Sequence, residues 1–558
     1  TSYNKANFRI NNDNKYGERL SFGTSINLST SLQHGTSNAA GDAYNVSPTI
    51  PLYEADGITP GYDKHPGETG INPVYMANLS NPDHRTYKVL GNIYAEYKIF
   101  DFLRFRINAG LDFNYYEKKS FTPTYNIADK YGNTRSSYEE TRGKNVTWLT
   151  DYLLYFDHTF SSKHSIDGMA GFSQQLTTDD DIYGKAYDYV SESKNMQILN
   201  GGTNPTDSRN SGAKSQLAMM SWFGRINYNF ADRYLLSFNL RADGSSRFAS
   251  GNRWGFFPSV SLGWNITREE FMSSVTDVLS NLKLRASYGL LGNQAGAALY
   301  TFAATMALND GLGNYIFSDG RHVFTKAPGV VNPNTTWEKV ESKNIGIDFG
   351  FLGNTLTGTL DVFQRDTKDM LGPGVDFPDF FGADAPKTNN ARMRNRGWEL
   401  ALNYRGQIGS DIQYSVGGSI SDAISEVTEY ANPTGTNPKD NWYTGKKVGE
   451  IWGYRADGLI QTQEEADAYN EKYDLSFISG KPWTPGDVKY RDLNGDNKVN
   501  NGTNTLDDMG DMTVIGNTTP RYQYTVNGSI SWKGISLSMM FQGVGKRDWN
   551  PGTGAYFW

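Results

Sequence analysis

The sequence predicts an all-β chain, a transmembrane antiparallel β-barrel. Three observations carry that expectation. Apolar and polar residues alternate over segments of about 10 residues or a little more, the length a tilted strand needs to cross the hydrocarbon layer. No run of about 18 apolar residues occurs, so no helix in this sequence can span a bilayer. Short and long links alternate between the segments, as periplasmic turns and extracellular loops do.

Composition is consistent with this class. A hydrophobic fraction of 37% and a mean hydropathy of −0.59 would suit a water-soluble protein. In a membrane barrel, however, lipid-facing and lumen-facing residues average out. The absence of cysteine among 558 residues fits an exported protein that uses no disulfide. The net charge of −7, with scattered Lys and Arg, argues against a nucleic-acid partner. No signal peptide opens the chain, which starts in mid-pattern at "TSYNKANFRINND".

Successive side chains of a strand point to opposite faces. On 102–115, Leu103, Phe105, Ile107, Ala109, Leu111, Phe113 and Tyr115 oppose Arg104, Arg106, Asn108, Asp112 and Asn114. On 222–230, Trp222, Ile226, Tyr228 and Phe230 oppose Arg225, Asn227 and Asn229. On 234–242, Tyr234, Leu236, Phe238 and Leu240 oppose Ser237, Asn239 and Arg241. Phe256, Val260, Leu262 and Trp264 then alternate with Ser259, Ser261, Gly263 and Asn265. On 282–290, Leu282, Leu284, Ala286, Tyr288 and Leu290 oppose Lys283, Arg285 and Ser287. On 522–532, Tyr522, Tyr524, Val526, Ile530 and Trp532 oppose Gln523, Thr525, Asn527, Ser529 and Ser531. Aromatic residues at segment ends suit interfacial girdles. A soluble sandwich or propeller would use strands of about 5–6 residues.

The long links are expected at 31–85, 118–146, 177–217, 291–338, 367–391 and 423–521, all on the outside, with an intermediate one at 243–253. Short turns fall near 12–17, 99–101, 160–163, 231–233, 352–354, 405–411 and 533–534, and a small helical turn is expected at 267–281. This gives about 16 strands. An open edge in lipid would leave backbone groups unpaired, so the barrel must close. The segment is therefore expected to be the middle of a longer polypeptide.

Several stretches carry a family resemblance. They include "RADGSSRFASGNRWGFFPSVSLGWNITREEFM" (241–272), "LKLRASYGLLGNQ" (282–294), "NPNTTWEKVESKNIGIDFGFLGNTLTGTLDVFQRDTKDML" (332–371) and "NRGWELALNY" (395–404). "VGEIWGYRADGLIQTQEEADAY" (448–469), "PGDVKYRDLNGDNKVN" (485–500) and "VIGNTTPRYQYTVNGSISWKGISLSMMFQGV" (514–544) follow in order. Together they resemble the SusC/RagA-like TonB-dependent transporters of the Bacteroidetes outer membrane, over most of the chain from 220 onward. Residues 1–200 match in strand pattern alone. The resemblance implies a barrel of about 22 strands around an N-terminal plug. It also implies a SusD-like surface lipoprotein as lid, energy from TonB, and an oligosaccharide or peptide as cargo. The apolar rows would meet outer-membrane lipids. On that layout the plug, the TonB box and about six strands lie outside 1–558, about two strands before Thr1 and about four after Trp558.

One local motif suggests a cation. In "DLNGDNKVNNGT" (492–503), Asp492, Asn494 and Asp496 occupy positions 1, 3 and 5 of a calcium loop, Lys498 offers a carbonyl at 7, and Asn500 stands at 9. Two departures weaken it. Asn497 replaces the usual Gly, although Asn tolerates the left-handed conformation. Thr503 replaces the bidentate carboxylate, which Asp507 or Asp508 would have to supply. The ion would be structural, pinning the 423–521 loop; an Asx-rich turn without an ion is the other reading.

No catalytic constellation appears. The six histidines show no metal spacing, and no GxSxG, Walker or Rossmann pattern is present, so no enzyme is expected. The acidic stretch 177–181 reads as a solvated loop start. Loop aromatics could contact substrate or lid by stacking. Phe377, Phe380 and Phe381 in the apolar stretch 375–384, with Trp442 and Tyr443, are the candidates; Tyr183, Tyr187, Tyr189 and Phe317 are further ones. Arg104, Arg106, Arg225, Arg241 and Arg285 would line the lumen and pair with carboxylates of wall or plug. The alternative function is a passive porin or adhesin-type barrel.

Overall fold

A computed structural model describes the chain except for Thr1, residues 36–42, 44–45, 66–69, 80–81, 128–130, 307–317, 319–324, 326–327, 375–376, 433–434 and 551–558. Its body is one antiparallel sheet of sixteen strands in sequential order. The first four are β1 (Ser2–Tyr16), β2 (Leu20–His34), β3 (Asp83–Phe100) and β4 (Leu103–Thr122). The loop that follows holds a small hairpin of β5 (Tyr125–Ile127) and β6 (Tyr131–Asn133). The sheet resumes with β7 (Ser137–Phe160), β8 (His164–Tyr187), β9 (Arg209–Phe230), β10 (Tyr234–Ser245), β11 (Trp254–Asn265) and β12 (Leu279–Asn293). It continues through β13 (Glu338–Phe351), β14 (Leu356–Gly372), β15 (Thr388–Ile408) and β16 (Ile412–Glu429). Four short strands, β17 (Glu450–Tyr454), β18 (Ala456–Leu459), β19 (Val488–Tyr490) and β20 (Met512–Asn517), belong to the next loop. β21 (Arg521–Trp532) and β22 (Ile535–Lys546) complete the wall. Among the described residues β1 and β22 are the two edges of the sheet and do not pair with each other.

The alternation read from the sequence sets the faces. Leu236, Phe238 and Leu262 are 39%, 44% and 57% exposed, which in this fold means turned toward lipid. Leu236 pairs with Leu262 on one side and Tyr228 on the other, so the apolar row continues across strands. The short turns use left-handed residues, as the strand twist requires. Lys533 (φ 45°) and Gly534 (φ 87°) form the link between β21 and β22.

Several expectations are corrected. The regions 118–146 and 177–217 are not all loop: β4 runs to Thr122, and β7 and β8 pair in register from Ser137 with Tyr187 to Phe160 with His164. A ladder needs no apolar face once it leaves the bilayer, so polar composition hides these extensions. Tyr183 and Tyr187 are strand residues, and the stretch 177–181 lies within β8. The first strand spans Ser2–Tyr16, so its turn comes later than 12–17. The 267–281 link is a small helical turn as expected, built of two 3-10 turns, Ile266–Arg268 and Glu270–Met272. Glu269 fastens them, accepting from Trp264 Nε1 at 2.9 Å and Arg233 Nη1 at 3.4 Å.

Among the described residues three packed clusters lie on the extracellular side, two of them large. Phe248, Phe257, Ala297 and Trp337 gather at the ends of β10–β13, where Trp337 Nε1 donates to the Arg253 carbonyl at 2.8 Å. Ile460, Ala466, Leu475, Trp483 and Val499 gather inside the loop between β16 and β21. That loop starts at 430 rather than 423, because β16 continues to Glu429.

Candidate functional site in the lumen wall and the extracellular loops

The lumen face is polar, and its arginines are held by carboxylates of the same wall. Arg285, on β12, donates Nε and Nη2 to Asp348 on β13 at 2.8 Å each. Its Nη1 and Nη2 also reach Asp361 on β14 at 3.1 and 3.0 Å. Gly346 leaves room for this contact: a Cβ there would stand 2.5 Å from Asp361 Oδ1 and 2.7 Å from Arg285 Nη2 and would push the pair aside. Arg241 donates Nε to both oxygens of Asp243 at 2.7 and 2.9 Å, and Nη2 to Ser221 at 2.9 Å. Arg225 lies 3.9 Å from Asp167. Arg104 and Arg106 share Glu96 at 3.5 and 3.9 Å, and Arg106 stacks on Tyr94 with 3.8 Å to the ring centroid. Which carboxylate each arginine meets depends on cross-strand register, which the alternation alone does not give. A planar guanidinium bridging two carboxylates stiffens the wall and leaves little charge to select cargo.

The 430–520 loop folds on itself. β17 pairs with β20 and β18 with β19, and a helix spans Gln463–Lys472. Thr462 caps the helix by accepting from the Glu465 N–H at 3.2 Å, and Glu465 accepts from the Gln461 N–H at 2.7 Å, so two backbone donors are satisfied. Lys446 is buried, and its ammonium donates to the carbonyls of Pro438, Lys439 and Asn441 at 2.6, 3.2 and 2.8 Å. Burial pulls its pKa down.

In the 492–508 segment the candidate ligands hold the backbone. Asp492 accepts from the N–H groups of Gly495 (2.6 Å) and Asn497 (2.9 Å). Asn494 accepts from Asp496 at 3.0 Å, Asp496 from Lys498 at 2.8 Å, and Asn500 from Gly502 at 2.6 Å. Asn497 has φ +59°, the left-handed conformation that a calcium loop needs at its sixth position. Asp507 is exposed, and Asp508 accepts from Thr503 and Gly510. The carboxylate that reaches back to the 492–500 turn is Asp511, fully buried, accepting from Leu493 at 2.6 Å and Asn500 at 3.0 Å. Among the described residues no three acidic or histidine side chains converge as a metal site.

The aromatic candidates separate. Phe380 and Phe381 are 89% and 54% exposed, and Phe377 packs on Phe381 at 4.6 Å between ring centroids. Val375 and Asp376 of the same stretch, and Phe317, lie outside the described residues. Trp442 packs on Tyr430. Tyr443 is buried: its hydroxyl donates to Glu450 at 2.7 Å, so it belongs to the loop's packing and does not face a ligand. Tyr189 is likewise buried, in a cluster with Tyr138 and Ala186.

Comparison with known proteins agrees with the geometry. Residues 42–556 match the TonB dependent receptor-like, β-barrel family. TonB-dependent receptor P26 of Formosa agariphila is 27% identical over 96% of this chain and 53% of its own length. TonB-dependent receptor SusC of Bacteroides thetaiotaomicron is 27% identical over 88% of this chain and 49% of its own. The chain thus spans about half the length of these curated relatives. The RagAB peptide importer in its "open-open" state superposes with a TM-score of 0.78 at 20% identity, covering 97% of this chain and 57% of that one, a likeness of fold. The chain belongs to the TonB-dependent receptor β-barrel family and is a SusC/RagA-like barrel of the outer membrane.

Proposed function

We propose that the chain is the wall and loop system of a TonB-dependent importer of oligosaccharides or peptides, working beneath a SusD-like surface lipoprotein and doing no covalent chemistry itself. The observation that carries this reading is the asymmetry of the two ends. The turns on one side are short. The folded connections, with exposed Phe380 and Phe381, stand on the other, where cargo and a lid would meet them. The lumen arginines, each with a carboxylate of the wall beside it, suit a static conduit whose moving part is supplied by other segments of the polypeptide. Further strands from those segments would close the sheet between β1 and β22.

The test is uptake by cells carrying the full-length gene, with labelled peptide and oligosaccharide pools, with and without TonB. Uptake that stops when TonB is removed supports the reading; uptake that continues makes the barrel a passive porin. For the 492–508 segment we propose a structural Ca2+ held by Asp492, Asn494 and Asp496. Calcium should slow amide exchange across 430–520 and a chelator reverse it. Indifference to both makes the segment an Asx-rich turn.

A further inference from the structure

We propose that the lipid-facing side of β12–β16 holds one phosphate-bearing lipid of the outer leaflet, with an acyl chain in an apolar groove and the phosphate between Lys343 and Arg396. The groove encloses about 940 Å3. Ala286, Ile345 and Val362 form its floor and Trp398 a wall. Ile345 and Val362 are 67% and 56% exposed.

The ladder fixes what lies at its extracellular end. Ile345 pairs with Val362, and Val362 with Trp398. One step along each strand on the same face, Lys343 pairs with Gln364, and Gln364 with Arg396. A further step brings Glu341, Asp366 and Arg394 into line. On β13–β15 the wall therefore passes from an apolar row to one bearing Lys343 and Arg396, and then to one bearing carboxylates; on β16 the apolar row ends at Asp422, the partner of Trp398.

The carboxylates nearby are already engaged. Glu341 is bound by Lys343 at 3.0 Å and by Lys368, and Asp366 by Arg394 at 2.5 Å and Gln364 at 2.6 Å. Asp422, at the groove's edge, is clasped by Arg521. The Arg396 guanidinium, in contrast, meets the neutral Gln364 carbonyl at 3.1 Å. Cations at the boundary of the hydrocarbon layer, with an apolar trough beneath them, complement a lipid phosphate and the chain attached below it.

A second outward groove serves as an internal control. It lies over β7–β11, where Gly168, Ala170, Gly224 and Ala242 make the floor and Phe172 and Trp222 the walls. The arginine beside it, Arg225, turns to the lumen toward Asp167. This groove lacks the cationic row and should exchange lipids freely.

The experiment places the full-length transporter in nanodiscs containing bisphosphorylated lipid A, its dephosphorylated form, or phosphatidylcholine, and measures retained lipid by native mass spectrometry. Retention of the bisphosphorylated lipid is expected, with a loss of about fivefold for each charge removed in K343Q and R396Q. The charge-keeping K343R/R396K pair should retain it, and A286W, which fills the floor, should release it. Equal retention of the dephosphorylated lipid by the unmodified protein, a readout that needs no variant, overturns the proposal. So does retention that ignores both charge variants, or inorganic phosphate binding that persists in A286W while no lipid is held.

Discussion

The barrel wall and the folded loop between β16 and β21 come from one chain and solve opposite problems. In the wall, Leu236, Phe238 and Leu262 point outward and polar groups such as Arg285 and Asp348 point in. In the loop, Ile460, Ala466, Trp483 and Val499 are buried together, while Glu464 and Asp467 of the helix face water. Hydrophobic burial is non-directional; it follows whichever neighbour is apolar. Lipid supplies that neighbour for the wall, so its strands need no inward core. The loop stands in water and must build a core from its own residues.

Each half of this contrast can be broken separately. Trp483→Ala empties the loop core, where the ring is 7% exposed and its Nε1 donates to Val488 at 2.6 Å. The cost should be about 3–5 kcal/mol, read as lost amide protection within 450–517 while barrel assembly is unchanged. Phe238→Arg places a charge on the lipid face and should cost about 2–4 kcal/mol near the membrane midplane. Heat-modifiable gel mobility after outer-membrane assembly would reveal it, and Ser261→Arg on the lumen face should assemble normally. If both arginine variants behave alike, the assignment of faces is wrong.

Smaller effects sharpen the comparison. Arg285→Ala leaves Asp348 and Asp361 facing each other across the wall and should cost about 1–3 kcal/mol, measured as a lower Tm of the assembled protein. Thr462→Ala removes the cap of the loop helix and should cost about 1 kcal/mol, seen as faster exchange at its first turn.

Acid should loosen the loop slightly. Hydrogen bonding to Arg491 holds the Asp457 carboxyl below its ordinary pKa, and hydrogen bonding to Lys489 does the same for Glu465. Carboxylates with lowered values contribute stability in full above their ordinary range and lose it as pH falls through the lowered values. Loop protection should therefore hold at neutral pH and decline below about pH 4. Both groups are exposed, so the change should be small. A loop equally protected well below that pH would show that these pairs contribute nothing to its stability.

How much is legible in the sequence follows from the range of each interaction. The wall strands, their faces and the side of each turn come from a period of two, which is a local property of the chain. The left-handed residue at Asn497 is likewise readable, because its cause lies in its own side chain. Asp511, the carboxylate that closes the 492–500 turn, is not readable in this way. The chain leaves that turn at Gly502 and comes back to it at Gly510, whose Cβ would stand 2.7 Å from the Gly502 nitrogen, and spacing along the sequence does not reveal the return.

By itself, then, the order of residues determined the barrel class, the strands and which face of each meets lipid, since each follows from neighbours one or two positions apart. Only the tertiary structure decided the rest. It extended polar ladders beyond the membrane and matched Arg285 to Asp348 and Asp361. It also sealed Tyr443 inside the loop and aligned Lys343 with Arg396 across Gln364. Tyr443 is sealed by the loop's own packing; the other outcomes depend on register between neighbouring strands, and register is set by the whole sheet making its hydrogen bonds together.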